Sequence, residues 1–345
     1  MKLLKNRNKL PMRILLCAAA LALLLWEVSA VLDIFGTGGG RDVLVNIPKG
    51  TGTAGIADIL RSEGIIRHKL LFRMIEKSDK SGHIFQQGGH MLKSGMSYRA
   101  VIDKLCAVPD VRADETLRLL VPEGYEARQI ADSLEKMGLA KSEDFLRELD
   151  EGEFGYDFID RIDRRENRLE GYLFPATYEI GADESVHSII DKMLRKFSEV
   201  VPPLYSAWDN PRGMTLDELV TLASMVEREA ANDSERSRVA SVFFNRMDRE
   251  MTLSSCATVQ YILKERKAIL SNSDVKIKSP YNTYINLGLP KGPIASPGED
   301  SVRAVMNPEK SDYLYFAAKA DGSANVFSKT GEEHMRIVGE LQGKD

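Results

Sequence analysis

A chain of 345 residues is longer than one typical domain, so two or three globular units with short tails are expected. Its 47 basic and 51 acidic residues leave a formal charge of -4, and no stripe of Lys and Arg alternates with aromatics, which argues against a nucleic-acid partner. Three cysteines, Cys17, Cys106 and Cys256, have neither CxxC spacing nor a nearby His pair, so no metal site and no disulfide framework is expected, a lone Cys106–Cys256 bond apart.

Residues 1–13 carry Lys2, Lys5, Arg7, Lys9 and Arg13 and read as a cytoplasmic tail. An apolar run follows, ILLCAAALALLLW from Ile14 to Trp26, and resumes after Glu27 as VSAVL to Leu32. As a helix that stretch reaches about 28 Å, close to the thickness of a bilayer's hydrocarbon core. Residues 14–35 are therefore expected to be a single-pass transmembrane anchor in the inner (cytoplasmic) membrane, with the N-terminus inside and the body in the periplasm. The competing reading is a cleaved leader ending at Val28-Ser29-Ala30, which exports the body equally; the length of the apolar run favours the anchor.

GTGGGRD (36–42) is a flexible spacer. Beyond it, VNIPKGTGTAGIADILRSEGIIRHKLLF (45–72) and LLVPEGYEARQIADSLEKMGLAKSEDFL (119–146) align without gaps. Pro48 matches Pro122, Gly50 matches Gly124, Ile56-Ala57-Asp58 matches Ile130-Ala131-Asp132, and Gly64 matches Gly138. Each copy reads as a short strand, a Pro-x-Gly turn and an amphipathic helix ended by glycine. The first copy continues into GHMLKSGMSYRAVIDKLC (89–106), a strand and turn that lead into another helix. That strand, helix, helix, strand order resembles a LysM-type module, a small fold that holds N-acetylglucosamine polymers, and it sets a LysM-like module at 40–110. A plain spacer has the same architecture, and neither copy shows a row of sugar-stacking aromatics. The second copy (111–150) opens the remaining domain, 111–345.

In that domain MTLDELVTLASMVEREA (214–230) places Thr215 and Glu218 in capping-box spacing, which starts a helix near Leu216. At about 100° per residue, Leu216, Leu219, Val220, Ala223, Val226 and Ala230 form one apolar arc. Glu227 falls inside the arc and Glu229 at its margin. A carboxylate on a core-facing stripe is costly unless it is paired or lines a cleft, and desolvation favours the protonated form that a general acid needs. Glu227 is therefore the candidate, against the alternative of a glutamate salt-bridged to a neighbouring helix.

Six segments occur in order: LEGYLFPATYEI (169–180), LASMVEREA (222–230), ASVFFNRM (240–247), SSCATVQYIL (254–263), YNTYINLGLPKGPIASPG (281–298) and YLYFAAK (313–319). Together they resemble the YceG/MltG-like family of endolytic murein transglycosylases, and the resemblance extends over anchor, module and remainder. It implies an α+β lytic transglycosylase domain behind the transmembrane helix and the α+β LysM-like module. The activity it implies is cleavage of the MurNAc–GlcNAc β-1,4 bond within peptidoglycan strands, leaving 1,6-anhydro-MurNAc ends, with no cofactor. It also suggests termination of nascent strands, and with it peptidoglycan synthases or elongation and division proteins as partners. The family's catalytic glutamate lies in the helix matching LASMVEREA, and the role falls on Glu227, with Glu229 second. The rivals are a muramidase that uses water and a silent glycan-binding scaffold; intact Glu227, Asn282 and Tyr284 argue against silence.

Ordinary glycosidases need two carboxylates. In a lytic transglycosylase the sugar's own C6 hydroxyl attacks C1, so one glutamate can first give a proton and then take one. Glu170 is a candidate second carboxylate, with capping or pairing at the GYLFP turn as its other reading. YNTY offers aromatic faces and polar groups in a loop, which suggests substrate contacts from Asn282, Thr283 and Tyr284. GLPKGPIASPG (288–298) is expected to form a rigid groove wall. Asn245, on a helix read mainly as packing, and Gln260 are further substrate-binding candidates, whereas Cys256 reads as a small buried hydrophobe. The five histidines are scattered and suggest neither a triad nor a metal site.

Overall fold

The computed structural model describes residues 34–36, 40–48, 50–78, 84–112, 116–181, 183–267 and 269–341. The expected cytoplasmic tail, and the anchor up to residue 33, lie outside the described residues. Among those described, no helix is long and apolar enough to cross a membrane. Packing divides the chain into two units, one of Met1–Leu117 with Met137–Leu139 and Gly181–Glu184, the other of Arg118–Lys136, Ala140–Ile180 and Ser185–Asp345.

In the first unit β1 (Asp42–Ile47) alternates in burial and pairs antiparallel with β2 (Gly88–Lys93), Val45 facing His90. Between them run α1 (Thr53–Ser62) and α2 (Lys69–Ser78); α3 (Tyr98–Cys106) follows β2, capped by the Ser97 hydroxyl, and β3 (Val111–Arg112) extends the sheet. The strand, helix, helix, strand order read from the sequence is present. Its core gathers Val45, Ile56, Leu60, Phe72, Leu92, Tyr98 and Ile102, all buried. Burying side chains of that size at about 1.5–3 kcal/mol each holds the small sheet against its helices.

The internal repeat is equally visible in the backbone. β4 (Thr116–Val121) and α4 (Ala127–Lys136) reproduce β1 and α1. Gly50 and its match Gly124 have φ of 81° and 73°, and Gly64 and Gly138 have 71° and 69°. Left-handed backbone at both matched pairs explains why glycine occupies all four positions.

In the second unit β4 pairs with β5 (Ala176–Gly181), and α5 (Ser142–Glu151) packs on α4. α6 (Val186–Ala207) supplies buried Ile189, Ile190, Met193 and Phe197. At the centre lies α7 (Leu216–Glu229), which begins with the expected capping box: Glu218 N–H donates 3.2 Å to Thr215 Oγ1, and Thr215 N–H donates 2.7 Å to Glu218 Oε2. Every residue of α7 from Leu219 to Val226 is buried. The single apolar arc expected for this helix is thus a correction: it is covered all round, by α8 (Arg236–Asp248), α9 (Cys256–Leu263) and α10 (Glu299–Met306). A β6 (Tyr315–Ala318) and β7 (Asn325–Ser328) hairpin and α11 (Gly331–Leu341) complete the unit, which is α+β with helices dominant.

Candidate active site

The last turn of α7 brings its two glutamates out of the core in different directions. Glu227, with 7% of its side chain exposed, accepts a hydrogen bond from Arg236 Nη2 at 3.2 Å on one oxygen and from the Gly298 N–H at 3.0 Å on the other. Glu229 turns instead to the start of α9, where it accepts from the Ser255 hydroxyl at 2.5 Å and the Ala257 N–H at 3.2 Å. Burial pushes the Glu229 carboxyl up, and those two donors pull against it. It works as a long-range cap on α9, satisfying an orphan helix N–H.

Glu170 has the corresponding duty at α4. It is buried, accepts 2.9 Å from the Ala127 N–H, and lies 3.4 Å from the Tyr261 hydroxyl. Desolvation, reinforced by the charge of Glu126, pushes its carboxyl up to about 8. This is the capping reading of Glu170, away from Glu227's partners. Between pH 4.5 and about 8 the folded protein keeps a proton on Glu170 that the unfolded chain releases. Its contribution to stability is therefore intact below about 4.5 and lost progressively as the pH rises to about 8. Urea unfolding is expected to show stability falling across that window, by a few kcal/mol at most, and Glu170→Gln to flatten the profile.

Arg236, at the first turn of α8, organises the surroundings of Glu227. It ion-pairs with Asp233, donates 3.0 Å to the Ser301 hydroxyl, and reaches Glu123 Oε2 at 3.4 Å. Glu123 belongs to the turn between β4 and α4. That turn is fastened to the 288–298 loop by a reciprocal backbone pair, Gly124 N–H to Ser296 O and Ser296 N–H to Tyr125 O, each 2.8 Å. Burial first, and then the charge of Glu227, push the Glu123 carboxyl up, against the pull of Arg236. Beside it, buried Glu126 is shared by two guanidinium groups, Arg228 at 3.0 Å and Arg128 at 2.5 Å, and Arg128 also donates 2.7 Å to Lys264 O.

Reading the sequence had missed Glu123, Glu126, Arg128, Arg228 and Arg236. The repeat carried the signal for three of them. Where the second copy has Glu123, Glu126 and Arg128, the first has Lys49, Gly52 and Ala54, so the shared scaffold does not require those charges.

The polar loop residues are elsewhere. Asn282 is fully buried, its amide donating to Val275 O and Ile277 O and its oxygen accepting from the Tyr284 N–H. Buried Thr283 accepts from the Ser255 N–H at 3.0 Å and meets Thr258 Oγ1 at 2.9 Å. Neither can line a groove from there; the expectation is corrected, because YNTY folds inward to satisfy its own backbone. Asn245 donates to Ser311 O and Tyr313 O, and Gln260 to Lys267 O, so both brace loops. Tyr284 is partly buried with its hydroxyl 3.0 Å from Cys256 Sγ, and Cys256 is exposed rather than buried. Of the 288–298 loop, residues 292–298 are buried and wall α7, with Ile294 N–H donating 3.0 Å to Ser224 Oγ.

A cavity of about 820 Å³ opens at the other end of α7, around Thr215, Asp217, Phe158, Tyr172, Phe244 and Lys291. Fourteen residues of helix, about 21 Å, separate the two ends. The cavity includes neither Glu227 nor Glu123. Among the described residues no three His, Cys, Asp or Glu side chains gather as a metal cage.

The sequence profile described as the YceG-like family matches residues 45–340. An endolytic murein transglycosylase of Bacillus subtilis (strain 168) is 36% identical over 306 residues, covering 85% of this chain and 83% of that protein. One from Streptococcus pneumoniae serotype 2 is 33% identical over 325 residues, or 86% of this chain; the chain spans 58% of that relative's length. The crystal structure of a yceG-like protein, lmo1499, from Listeria monocytogenes aligns with a TM-score of 0.60 at 32% identity, over 87% of this chain and all of that one.

Proposed function

This chain belongs to the YceG-like family, and from that premise we propose that it is a lytic transglycosylase that cuts the MurNAc–GlcNAc β-1,4 bond inside peptidoglycan strands and leaves 1,6-anhydro-MurNAc ends. Kinship with endolytic murein transglycosylases over most of the chain supports the peptidoglycan substrate and the reaction class. The observation that carries the site is Glu227, a carboxylate at a helix end with both oxygens held by N–H donors and a second carboxylate alongside. In this reading Glu227 takes part in proton transfer at the scissile bond, accepting the C6 hydroxyl proton as that oxygen closes on C1.

Around this reaction the remaining assignments follow as parts of the same reading. The N-terminal apolar segment anchors the body at the outer face of the inner membrane, the LysM-like unit holds N-acetylglucosamine polymers, and cutting near synthases ends nascent strands. Digestion of purified peptidoglycan with the full chain in detergent, read by mass spectrometry, tests the reaction. Anhydro ends, lighter by one water than hydrolysis products, are the expected result; reducing ends would make the protein a muramidase, and no cleavage a scaffold.

A further inference from the structure

Glu227 and Glu123 lie on the same nitrogen of Arg236, at 3.2 and 3.4 Å, so their nearest oxygens are at most about 6.6 Å apart, the scale of paired glycosidase carboxylates. Both also rest on Gly298. Its N–H binds Glu227, while a β-carbon added to it would collide with Glu123 Oε1, so glycine makes room for the second carboxylate beside the first. Their environments differ. Glu227 has both oxygens occupied by donors, a geometry that suits a carboxylate; Glu123 is 49% exposed, with the long Arg236 contact as its side-chain hydrogen bond among the described residues. A pair of carboxyls set in such unlike surroundings is how acid and base assignments separate.

The repeat supplies an independent argument. Its first copy carries Lys49 at the position of Glu123 while keeping Pro48 and Gly50, so the turn itself has no need of a carboxylate. The acidic residue stands only in the second copy.

Resting on the transglycosylase reading, we propose that Glu123 is the proton donor of the site and Glu227 its base. The C1–O bond breaks with its electron pair going to the glycosidic oxygen, which takes the proton of Glu123. The C6 oxygen bonds to C1 and gives its proton to the Glu227 carboxylate. Glu123 is then ionised and Glu227 protonated, and transfer of that proton back through solvent restores the pair without a co-reactant. The raised proton affinity of Glu123 from burial and from Glu227 is in the direction this role needs.

The test compares full-length wild type, Glu123→Gln and Glu227→Gln on peptidoglycan strands and on a MurNAc oligosaccharide bearing a 2,4-dinitrophenyl leaving group. That leaving group departs without protonation. Glu123→Gln is expected to be slowed about 10²–10³-fold on strands but to stay within about tenfold of wild type on the activated glycoside. Glu227→Gln is expected to lose both. The ratio of the two rates within one variant does not depend on its folded fraction, so partial unfolding does not blur the result. Wild-type rates for Glu123→Gln on strands, or equal losses on both substrates, would overturn the donor role while leaving Glu227 in place. An active Glu227→Gln would overturn the underlying reading as well.

Discussion

Glu227→Gln will lower the rate of strand cleavage about a thousandfold, the scale on which a positioned acid or base contributes. The substitution keeps the shape of the side chain and removes its ability to carry or receive a proton. It also places an NH₂ group opposite either Arg236 or the Gly298 N–H, both of which donate. One donor then loses its acceptor at a site with 7% exposure, so a stability loss of about 1–2 kcal/mol should accompany the kinetic one. Thermal unfolding beside the product assay separates the two: a folded protein that leaves glycan strands uncut supports the role. Retained cleavage would return attention to Glu229 and Glu170, whose helix-capping bonds then would need to break for them to react.

Gly171→Ala is expected to be the most damaging of the small changes, costing about 2–4 kcal/mol, from roughly 1 kcal/mol for left-handed backbone and 1–3 for overpacking. Gly171 has φ of 87°, and an added β-carbon would collide with the Pro293 ring, 2.7 Å from Cγ, and press on Val220 Cγ1 at 3.2 Å. A proline ring cannot swing aside as a long side chain can. Relief must come from moving the 292–298 wall, which carries the Gly298 N–H that holds Glu227. A fall in melting temperature together with a disproportionate loss of cleavage is the expected result. Unchanged melting would mean that the wall yields freely.

What the sequence revealed, it revealed through local rules. The capping box at Thr215 and Glu218, the paired strand-turn-helix units and their terminal glycines depend on contacts within a few residues, and the structure has them. The helical wheel sets Glu227 inside an apolar arc and Glu229 at its margin, but α7 is buried throughout from Leu219 to Val226, so its faces do not distinguish the two glutamates, and their partners do. Arg236, Gly298 and Glu123 reach Glu227 across separations that no periodicity encodes. The YNTY loop misled because a polar residue needs a partner wherever it lies, and Asn282 finds its partners in backbone carbonyls rather than at a surface.

The two glutamates that serve as distant caps have a consequence for the order in which the chain becomes structured. The first turn of α4 waits for Glu170, which follows Ala127 by 43 residues, and the start of α9 is met by Glu229 from the end of a helix already made. The pocket of Glu227 closes later still, when Gly298 arrives 71 residues behind it. Such non-local closure slows folding. It also means that the donor set around Glu227 is complete only once Gly298, 71 residues further along the chain, has taken its place.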